Sequence, residues 1–236
     1  MQLHDMLCKI YKTLNEHFGE LYWWPGESPF EMAVGAILTQ NTNWKNVEIA
    51  IAKLKEADLL NPIRLYTAED SVVADLIRSS GYYNIKTKRL KAFLRFLQEE
   101  YACKMGEMFN EELWTLREKL LGVNGIGEET ADSILLYGGG KPIFVVDAYT
   151  RRILERHDII PRDRSYKEIQ TLFMENLPQD TPLYNQYHAL LENTGKHFCR
   201  KKSLCSGCPL RTQTCHDNSP SCCELSIAKA TTLKAC

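Results

Sequence analysis

Apolar residues recur three or four positions apart along most of the chain, which is the spacing of one face of an α-helix. The first segment shows it most simply, with Met6, Ile10, Leu14 and Phe18 four residues apart. Further stripes are formed by Val47, Ile49, Ile51 and Leu54, by Leu90, Phe93, Leu94 and Leu97, and by Leu113, Leu116, Leu120 and Leu121. No segment shows the alternation of a β-strand, so the pattern predicts an all-helical fold.

Polar residues placed just before these stripes mark where helices begin. Ser28 is followed at once by Pro and three residues on by Glu, a combination that caps and closes a first helical turn. Asn43 or Thr42 caps the next helix. Asp147 begins a helix that runs to residue 157, where Asp at the N-cap has an ordinary structural explanation. Two further helices are predicted over residues 165–177 and 183–198.

A glycine-rich turn, Gly-Val-Asn-Gly-Ile-Gly, separates two of the helical patterns and ends at Gly127. Gly125 and Gly127 allow a sharp turn and leave backbone amides free to point outward at the start of the second helix. Such amides bind anions, and a DNA phosphate is a natural ligand. An ordinary helical hairpin would show the same short motif, so the glycines alone do not decide the function.

Composition restricts the possibilities only a little. The 236 residues are 44% apolar and 25% charged, as in a soluble globular protein of one or two domains, and the formal net charge is −1. Any nucleic-acid surface must therefore come from local clustering of Lys and Arg. The sequence shows neither a leader with a charged and then an apolar part nor an apolar run long enough to span a membrane. We therefore expect a cytosolic protein without a membrane partner, nucleoid-associated if bacterial.

Four of the nine cysteines are close together near the C-terminus, with the spacing Cys199-x5-Cys205-x2-Cys208-x6-Cys215. In a chain without a secretion signal this spacing indicates metal ligation rather than disulfides. Four thiolates suit either a structural zinc or a four-iron, four-sulfur cluster, and spacing alone leaves both open. The segment between Glu192 and Asp217 is basic and contains no acidic residue, so it would attract a phosphate backbone.

Several motifs together resemble the endonuclease-III-like group of the helix-hairpin-helix DNA glycosylase superfamily. They are the glycine turn, the Val-Val-Asp that ends at Asp147, Ile-Leu-Thr-Gln-Asn-Thr over residues 37–42, Gly-Tyr-Tyr-Asn-x-Lys-x-Lys-Arg-Leu over residues 81–90, and the cysteine loop. The family's cysteine spacing is x6, x2, x5, so the central pair here is moved one residue towards the N-terminus. The resemblance covers nearly the whole chain, from Met1 to Cys215.

The resemblance implies a two-domain helical fold with a C-terminal 4Fe-4S cluster on Cys199, Cys205, Cys208 and Cys215. It implies that Gln40 enters the DNA stack where the damaged base has left, and that Asp147 stabilises the sugar cation and orients or deprotonates the attacking water. Together with the glycine turn and the basic segment, the resemblance indicates these DNA-binding residues: Gln40, Asn41, Lys88, Arg89, Gly125, Gly127, Thr130, Arg200, Lys201 and Lys202.

Departures from the main family narrow the resemblance to its 3-methyladenine DNA glycosylases. Lyase members carry a Schiff-base Lys where this chain has Glu129, and a carboxylate cannot form a Schiff base. Trp23, Trp24, Pro25 and Trp44 also resemble that group. Indole faces attract a cationic alkylated purine by roughly 0.5 to 2 kcal/mol each, so Trp24 and Trp44 would stack on the base while Trp23 and Pro25 shape the wall. Without that context, the Trp pair would be expected to cover the core.

The sequence thus predicts a monomeric, monofunctional glycosylase that excises alkylated purines such as 3-methyladenine from double-stranded DNA. Glu129 would assist the water or the bound base. Residues 28–137 would form a helical bundle ending in the hairpin, residues 1–27 with 138–217 a second helical domain with the cluster loop, and residues 218–236 a polar tail, with DNA lying between the two domains. The alternatives are a glycosylase for another damaged or mismatched base and a non-catalytic iron-sulfur DNA-binding module.

Overall fold

The structure is a computed structural model and describes residues 3–21 and 26–212. Within these ranges every regular element is helical and no strand occurs, which confirms the all-helical prediction. No described helix combines the length and apolar character that crossing a bilayer requires. The helices are α1 (Leu3–Phe18), α2 (Pro29–Thr39), α3 (Trp44–Glu56), α4 (Pro62–Thr67), α5 (Asp70–Leu76), α6 (Tyr83–Tyr101), α7 (Met105–Phe109), α8 (Leu113–Leu121), α9 (Glu128–Ser133), α10 (Ala148–Arg156), α11 (Tyr166–Asn176) and α12 (Thr181–His197).

The predicted caps begin the helices as expected. Ser28 accepts a hydrogen bond from the Glu31 amide at 3.2 Å and starts α2. Asn43 accepts from the Asn46 amide at 3.1 Å, so Asn43 rather than Thr42 caps α3. A capping box begins α11, and Asp180 caps α12, which starts slightly before the predicted position. Each cap satisfies an amide that the first helical turn leaves without a partner.

The chain divides into two compact units. The first holds the described parts of residues 1–23 and 142–236, with α1, α10, α11 and α12. Its core contains a stacked pair of rings, Phe144 and Phe173, whose centroids lie 3.8 Å apart. Tyr187 packs edge-on against both rings and donates to the Leu7 carbonyl at 2.8 Å, which fixes α12 to α1. The aromatic cluster therefore determines where α12 presents its side chains.

The second unit, residues 24–141, is built around α2. This helix packs against α3, α6, α9 and the segment that follows α9, and it is buried on nearly every side. The Trp44 ring of α3 lies over Gly35, where an added Cβ would be 3.4 Å from the ring, an ordinary contact distance. A helix that is apolar around its whole circumference suits a central position.

Three features differ from the sequence-based expectations. Ile49 was placed on the buried face of α3, yet it is 49% exposed, because it lies two residues after Val47 and so points away from it. Ala50 is buried instead. The helix after the glycine turn continues past Ser133 as a π-helical segment, Ile134–Gly138, and the short α7 was not predicted.

Candidate functional site

The glycine turn joins α8 to α9 with two different glycine geometries. Gly125 has a φ of +89°, and a Cβ there would lie 2.3 Å from Arg89 Cγ. Gly127 has an extended backbone, and a Cβ would meet no other atom within 4 Å. Gly125 is therefore required by the protein's own packing. Gly127 leaves open space at the first turn of α9, where a ligand could approach the protein backbone closely.

A buried ion pair holds the two helices of this hairpin together. Arg117 on α8 donates to both carboxylate oxygens of Asp132 on α9, at 2.7 and 3.1 Å. Asp132 is completely buried and Arg117 nearly so. Such a bidentate pair fixes the relative orientation of its two partners. The turn between α8 and α9 is therefore held in a defined shape.

Gln40 is the point where several of the predicted DNA-binding residues meet. Its Nε2 donates to the Gly125 carbonyl at 3.0 Å and to Thr130 Oγ1 at 2.9 Å, and its Oε1 accepts from Arg89 Nη1. The aliphatic part of Arg89 lies over Gly125. We call Gln40, Arg89, Gly125 and Thr130 the Gln40 latch. The structure thus places in one network four residues that the sequence pattern only grouped by function.

The neighbouring predicted residues have separate surroundings. Asn41 is exposed with a φ of +55°, and Lys88 is exposed on α6. The Trp44 ring, predicted to stack on a base, lies over Gly35 of α2. Trp23, Trp24 and Pro25 lie outside the described residues.

Two residues of the motif over residues 81–90, Lys86 and Tyr82, were given no individual role from the sequence. Lys86 is only 1% exposed and donates to the carbonyls of Leu38 and Ser80, at 2.8 and 2.6 Å. Burial, together with the charge of Arg89, lowers the pKa of Lys86 to about 8. Tyr82, in contrast, is 68% exposed and has a φ of +47°. Lys86 ties the end of α2, just before the Gln40 latch, to the loop that carries Tyr82.

Glu129 lies in the first turn of α9, two residues after Gly127. Its side chain is exposed, and its carbonyl accepts from Ser133 Oγ at 2.7 Å. An exposed carboxylate at a helix N-terminus also complements the helix dipole. The position therefore presents an acidic group to solvent rather than an amine nucleophile.

Asp147 precedes α10 and uses its two carboxylate oxygens differently. Oδ1 accepts from the Thr150 amide at 2.6 Å, which is the N-cap interaction. Oδ2 lies 3.8 Å from His188 Nε2 on α12. The residue is 9% exposed and follows the buried run from Ile143 to Val146. A carboxylate in this setting caps the helix and still has a second oxygen for other partners.

Three of the four predicted metal ligands lie on one small pocket. Cys199, Cys205 and Cys208 are buried and line it with Phe198, and Cys215 lies outside the described residues. No three metal-binding side chains within the described ranges lie close enough together to hold a metal ion. The donor set nevertheless fits an iron-sulfur cluster, because sulfur donors are the ligands that such clusters use.

Two arginines of α10 hold the cysteine loop in place. Arg156 donates to Cys199 Sγ at 3.3 Å and to the carbonyls of Arg200 and Lys201 at 2.6 and 3.1 Å. Arg152 donates to the Cys199 carbonyl at 2.6 Å. The predicted DNA-binding side chains on this loop are all exposed: Arg200, Lys201 and Lys202. The helix that begins at Asp147 therefore ends against this loop.

Comparison with known proteins places these features in a family. The sequence profile described as HhH-GPD superfamily base excision DNA repair protein matches residues 34–179. The "Putative DNA repair glycosylase MJ1434" of Methanocaldococcus jannaschii is 47% identical over 209 residues, which are 88% of this chain and 94% of that protein. Endonuclease III of Thermotoga maritima is 29% identical over 184 residues, which are 78% of this chain and 81% of that protein.

A solved structure shows the same likeness. It is that of H. pylori 3-methyladenine DNA glycosylase (MagIII) bound to 1,N6-ethenoadenine, with a TM-score of 0.70 and 28% sequence identity. The match covers 83% of this chain and 98% of that one. The likeness therefore extends over most of both chains.

Proposed function

The chain belongs to the HhH-GPD superfamily of base excision DNA repair proteins, and from this premise we propose that it is a monofunctional DNA glycosylase. Its proposed substrate is double-stranded DNA that carries an alkylated purine such as 3-methyladenine. The observation that carries the proposal is Asp147, a buried carboxylate whose Oδ1 is held by the Thr150 amide while Oδ2 faces a histidine. A non-catalytic DNA-binding module could use the cap, but it would not need the second carboxylate oxygen to face a histidine.

The proposed reaction is hydrolysis of the N-glycosidic bond of a nucleotide flipped out of the duplex. The bond between the sugar carbon and the base nitrogen breaks, and the electron pair leaves with the base. An N3-alkylated purine is cationic, so it departs as a neutral base without needing a strong acid. Asp147 would stabilise the cationic sugar and accept the proton of the attacking water, whose oxygen bonds to the sugar carbon.

Glu129 supports the monofunctional assignment. Strand cleavage through a Schiff base requires an amine nucleophile, and Glu129 supplies a carboxylate where lyase members carry Lys. We expect no covalent adduct when wild-type protein and substrate DNA are treated with borohydride. The Glu129→Lys variant supplies the matched test, because an amine at this position should give a trapped adduct. A high yield of adduct from the wild-type protein would refute the monofunctional assignment.

The alkylated-purine substrate is supported by the likeness to the H. pylori 3-methyladenine DNA glycosylase. Trp44, with Trp24, would stack on the cationic base, although Trp44 would have to leave its contact with Gly35 to do so. The test is to incubate methylated DNA with wild-type protein and with Asp147→Asn, and to identify the released bases by chromatography. Release of 3-methyladenine by the wild-type protein alone is the expected result.

A second candidate is excision of a different damaged or mismatched base. Its support is the similarity to endonuclease III of T. maritima. The same incubation, repeated with duplexes that carry other damaged bases or mismatched thymine, separates the two candidates. Release of one of those bases in place of methylated purines would favour the second.

Residues suited to DNA binding occur in each unit of the protein. Open space at Gly127 and the first turn of α9 suits a phosphate, and Lys88, Arg200, Lys201 and Lys202 are exposed cations. Gln40 would replace the extruded base after leaving the Gln40 latch. Because cations that displace counterions give salt-dependent affinity, binding should weaken as salt rises. The active species would be a monomer.

Cys199, Cys205, Cys208 and Cys215 would hold a 4Fe-4S cluster. The burial of the first three on a common pocket supports the assignment. When bound, the cluster would cross-link the loop and so fix its exposed cations for DNA binding. Anaerobically purified protein should contain iron and sulfide, whereas stoichiometric zinc without visible absorbance would show that the loop binds zinc instead.

A further inference from the structure

A row of ionisable side chains lies behind Asp147, on residues that the sequence analysis did not single out. His188, Glu192 and Lys196 follow at intervals of four on α12, so helical geometry places them on one face. His188 Nε2 lies 3.8 Å from Asp147 Oδ2, and Lys196 Nζ lies 2.7 Å from Glu192 Oε1. The row therefore begins at the proposed catalytic carboxylate and ends at a partly exposed cation.

Glu192 is the unusual member of this row. Its Oε2 is buried and accepts no hydrogen bond from the described residues, and only Oε1 has the Lys196 partner. Burial raises the pKa of Glu192; His188 and Lys196 oppose that rise, and Asp147 adds to it. Because the charges of Asp147 and His188 both act on Glu192, this carboxylate is electrostatically coupled to the proposed active site.

We infer that His188 and Glu192 are positioning residues for Asp147, with the Glu192 carboxylate acting through the His188 imidazole on Asp147 Oδ2. The inference rests on the proposed function. The Thr150 amide fixes one oxygen of Asp147, and His188 lies beside the other. The His188 imidazole also lies near the carboxyl groups of Asp147 and Glu192, which repel each other when both are ionised.

The surrounding groups limit what else could act on this row. Asp147 is the N-cap of α10, while His188 and Lys196 come from α12 itself, and these three charges act on Glu192. Arg152 of α10 also faces α12, where it donates to the Gly195 carbonyl at 3.4 Å. From α1, Tyr11 packs edge-on against Tyr187, and His17 packs against Phe198 at the end of α12. The charge of Asp147 acts directly on Glu192, and the inference adds a second route through His188.

The Glu192→Gln variant tests this coupling because it removes the carboxylate charge at every pH while keeping the side chain's shape. At about pH 5, where Glu192 of the wild-type protein is most protonated, the two proteins should excise methylated purine at similar single-turnover rates. As the pH rises to about 8, the wild-type rate should exceed the variant rate by about tenfold. The wild-type protein and the variant should bind DNA with equal affinity, since neither His188 nor Glu192 is proposed to contact DNA.

A double-mutant cycle identifies the route. In a His188→Gln background, adding Glu192→Gln should change the rate by less than about twofold, because the intermediary is already gone. Glu175→Gln removes an exposed carboxylate of α11 and serves as the control with an unchanged rate. Additive effects in the cycle, or a rate ratio that is constant with pH, would overturn the inference.

The remaining outcomes are also decisive. If Glu192→Gln melts far below the wild-type protein, Lys196→Gln is used in its place. Lys196 opposes the rise in the pKa of Glu192, so removing this cation should move the increase in rate to higher pH. An unmoved pH profile in that variant contradicts the inference. Wild-type protein that releases no base overturns the proposed function, whereas active wild-type protein with a constant ratio overturns this inference alone.

Discussion

At the scale of single residues, one side chain often serves both the fold and the proposed chemistry. Asp147 caps α10 through Oδ1, and any helix N-terminus could use Asp in that way. What distinguishes this cap is burial and the proximity of Oδ2 to His188. The sequence identified the residue and its helix, but the neighbour on α12 comes from a segment 41 positions later that no local pattern connects to it.

Replacing Asp147 by Asn separates the two roles. Asn also caps well, so Asp147→Asn should melt like the wild-type protein and bind lesion DNA with similar affinity. Without the negative charge opposite the sugar cation, the single-turnover excision rate should fall by at least about 100-fold, or about 2.7 kcal/mol. The control is Asp180→Asn, another Asp cap in the same unit, which should excise normally. Near-normal excision by Asp147→Asn would leave Asp147 as a cap alone.

Lys86 gives a prediction about stability and pH. The pKa of Lys86 is about 8 in the folded protein against an ordinary 10.5. Between these values the unfolded chain binds more protons, so the contribution of Lys86 to stability increases with pH. The difference in free energy of unfolding between wild-type protein and Lys86→Met should therefore grow from pH 8 to pH 10.5. Urea denaturation across that range measures it, and a constant difference would contradict the buried, deprotonating amine.

Lys86 also shows what a sequence pattern cannot reveal. It stands in a run of Lys and Arg residues that a periodicity analysis assigns to a solvated or DNA-facing surface. Its burial depends on two carbonyls, one of them 48 residues earlier in the chain. Only tertiary structure brings such acceptors to the amine, so the sequence of this run does not show which cation is buried and which are exposed.

At the scale of elements, the helices were largely predictable and their irregularities were not. Caps act locally, so the sequence located Ser28 directly and gave Asn43 as one of two candidates, with Thr42, for the start of α3. The π-helical segment Ile134–Gly138 depends on packing against α2, and its residues look like an ordinary helix. The glycine turn was recognised, but not the different reasons for its two glycines.

Those reasons give a matched pair of variants. Gly125→Ala should lower the free energy of unfolding by about 1 to 2 kcal/mol for the left-handed backbone, with an added cost for displacing Arg89. Gly127→Ala meets no atom within 4 Å and should unfold like the wild-type protein, while weakening DNA binding if a phosphate approaches this turn. Urea denaturation and DNA titration of both variants measure this. Equal stability losses would show that the two glycines are not distinguished by packing.

At the scale of the whole molecule, segments far apart in the sequence form one unit. The described part of residues 1–23 packs with residues 142–212. Cysteine spacing indicated a metal loop, but it could not reveal that Arg156, 43 positions before Cys199, donates to the sulfur of that cysteine. Contacts of that range depend on how α10 and α12 pack, and a single sequence does not encode them in any local pattern.

The loop supplies the prediction at this scale. Cys208→Ser should lose iron, melt at a lower temperature and bind DNA more weakly, because the loop would no longer be cross-linked. Cys103→Ser replaces a buried cysteine of the other unit and should keep its iron. Iron analysis, melting curves and DNA titration are the measurements. Full iron content in Cys208→Ser would remove this cysteine from the proposed ligand set.

The Gln40 latch has a consequence for how quickly such a protein could survey DNA. Entering a base stack would require Gln40 to break two neutral hydrogen bonds and one to a guanidinium. Each neutral bond is worth about 0.5 to 1.5 kcal/mol and the bond to the guanidinium about 1.5 to 3 kcal/mol, so the released side chain should be populated at roughly 1% or less. On an intact duplex, Gln40 would therefore stay withdrawn and dwell times would be short. Only a site whose own base stacking is already weakened would hold the protein long enough for Gln40 to enter.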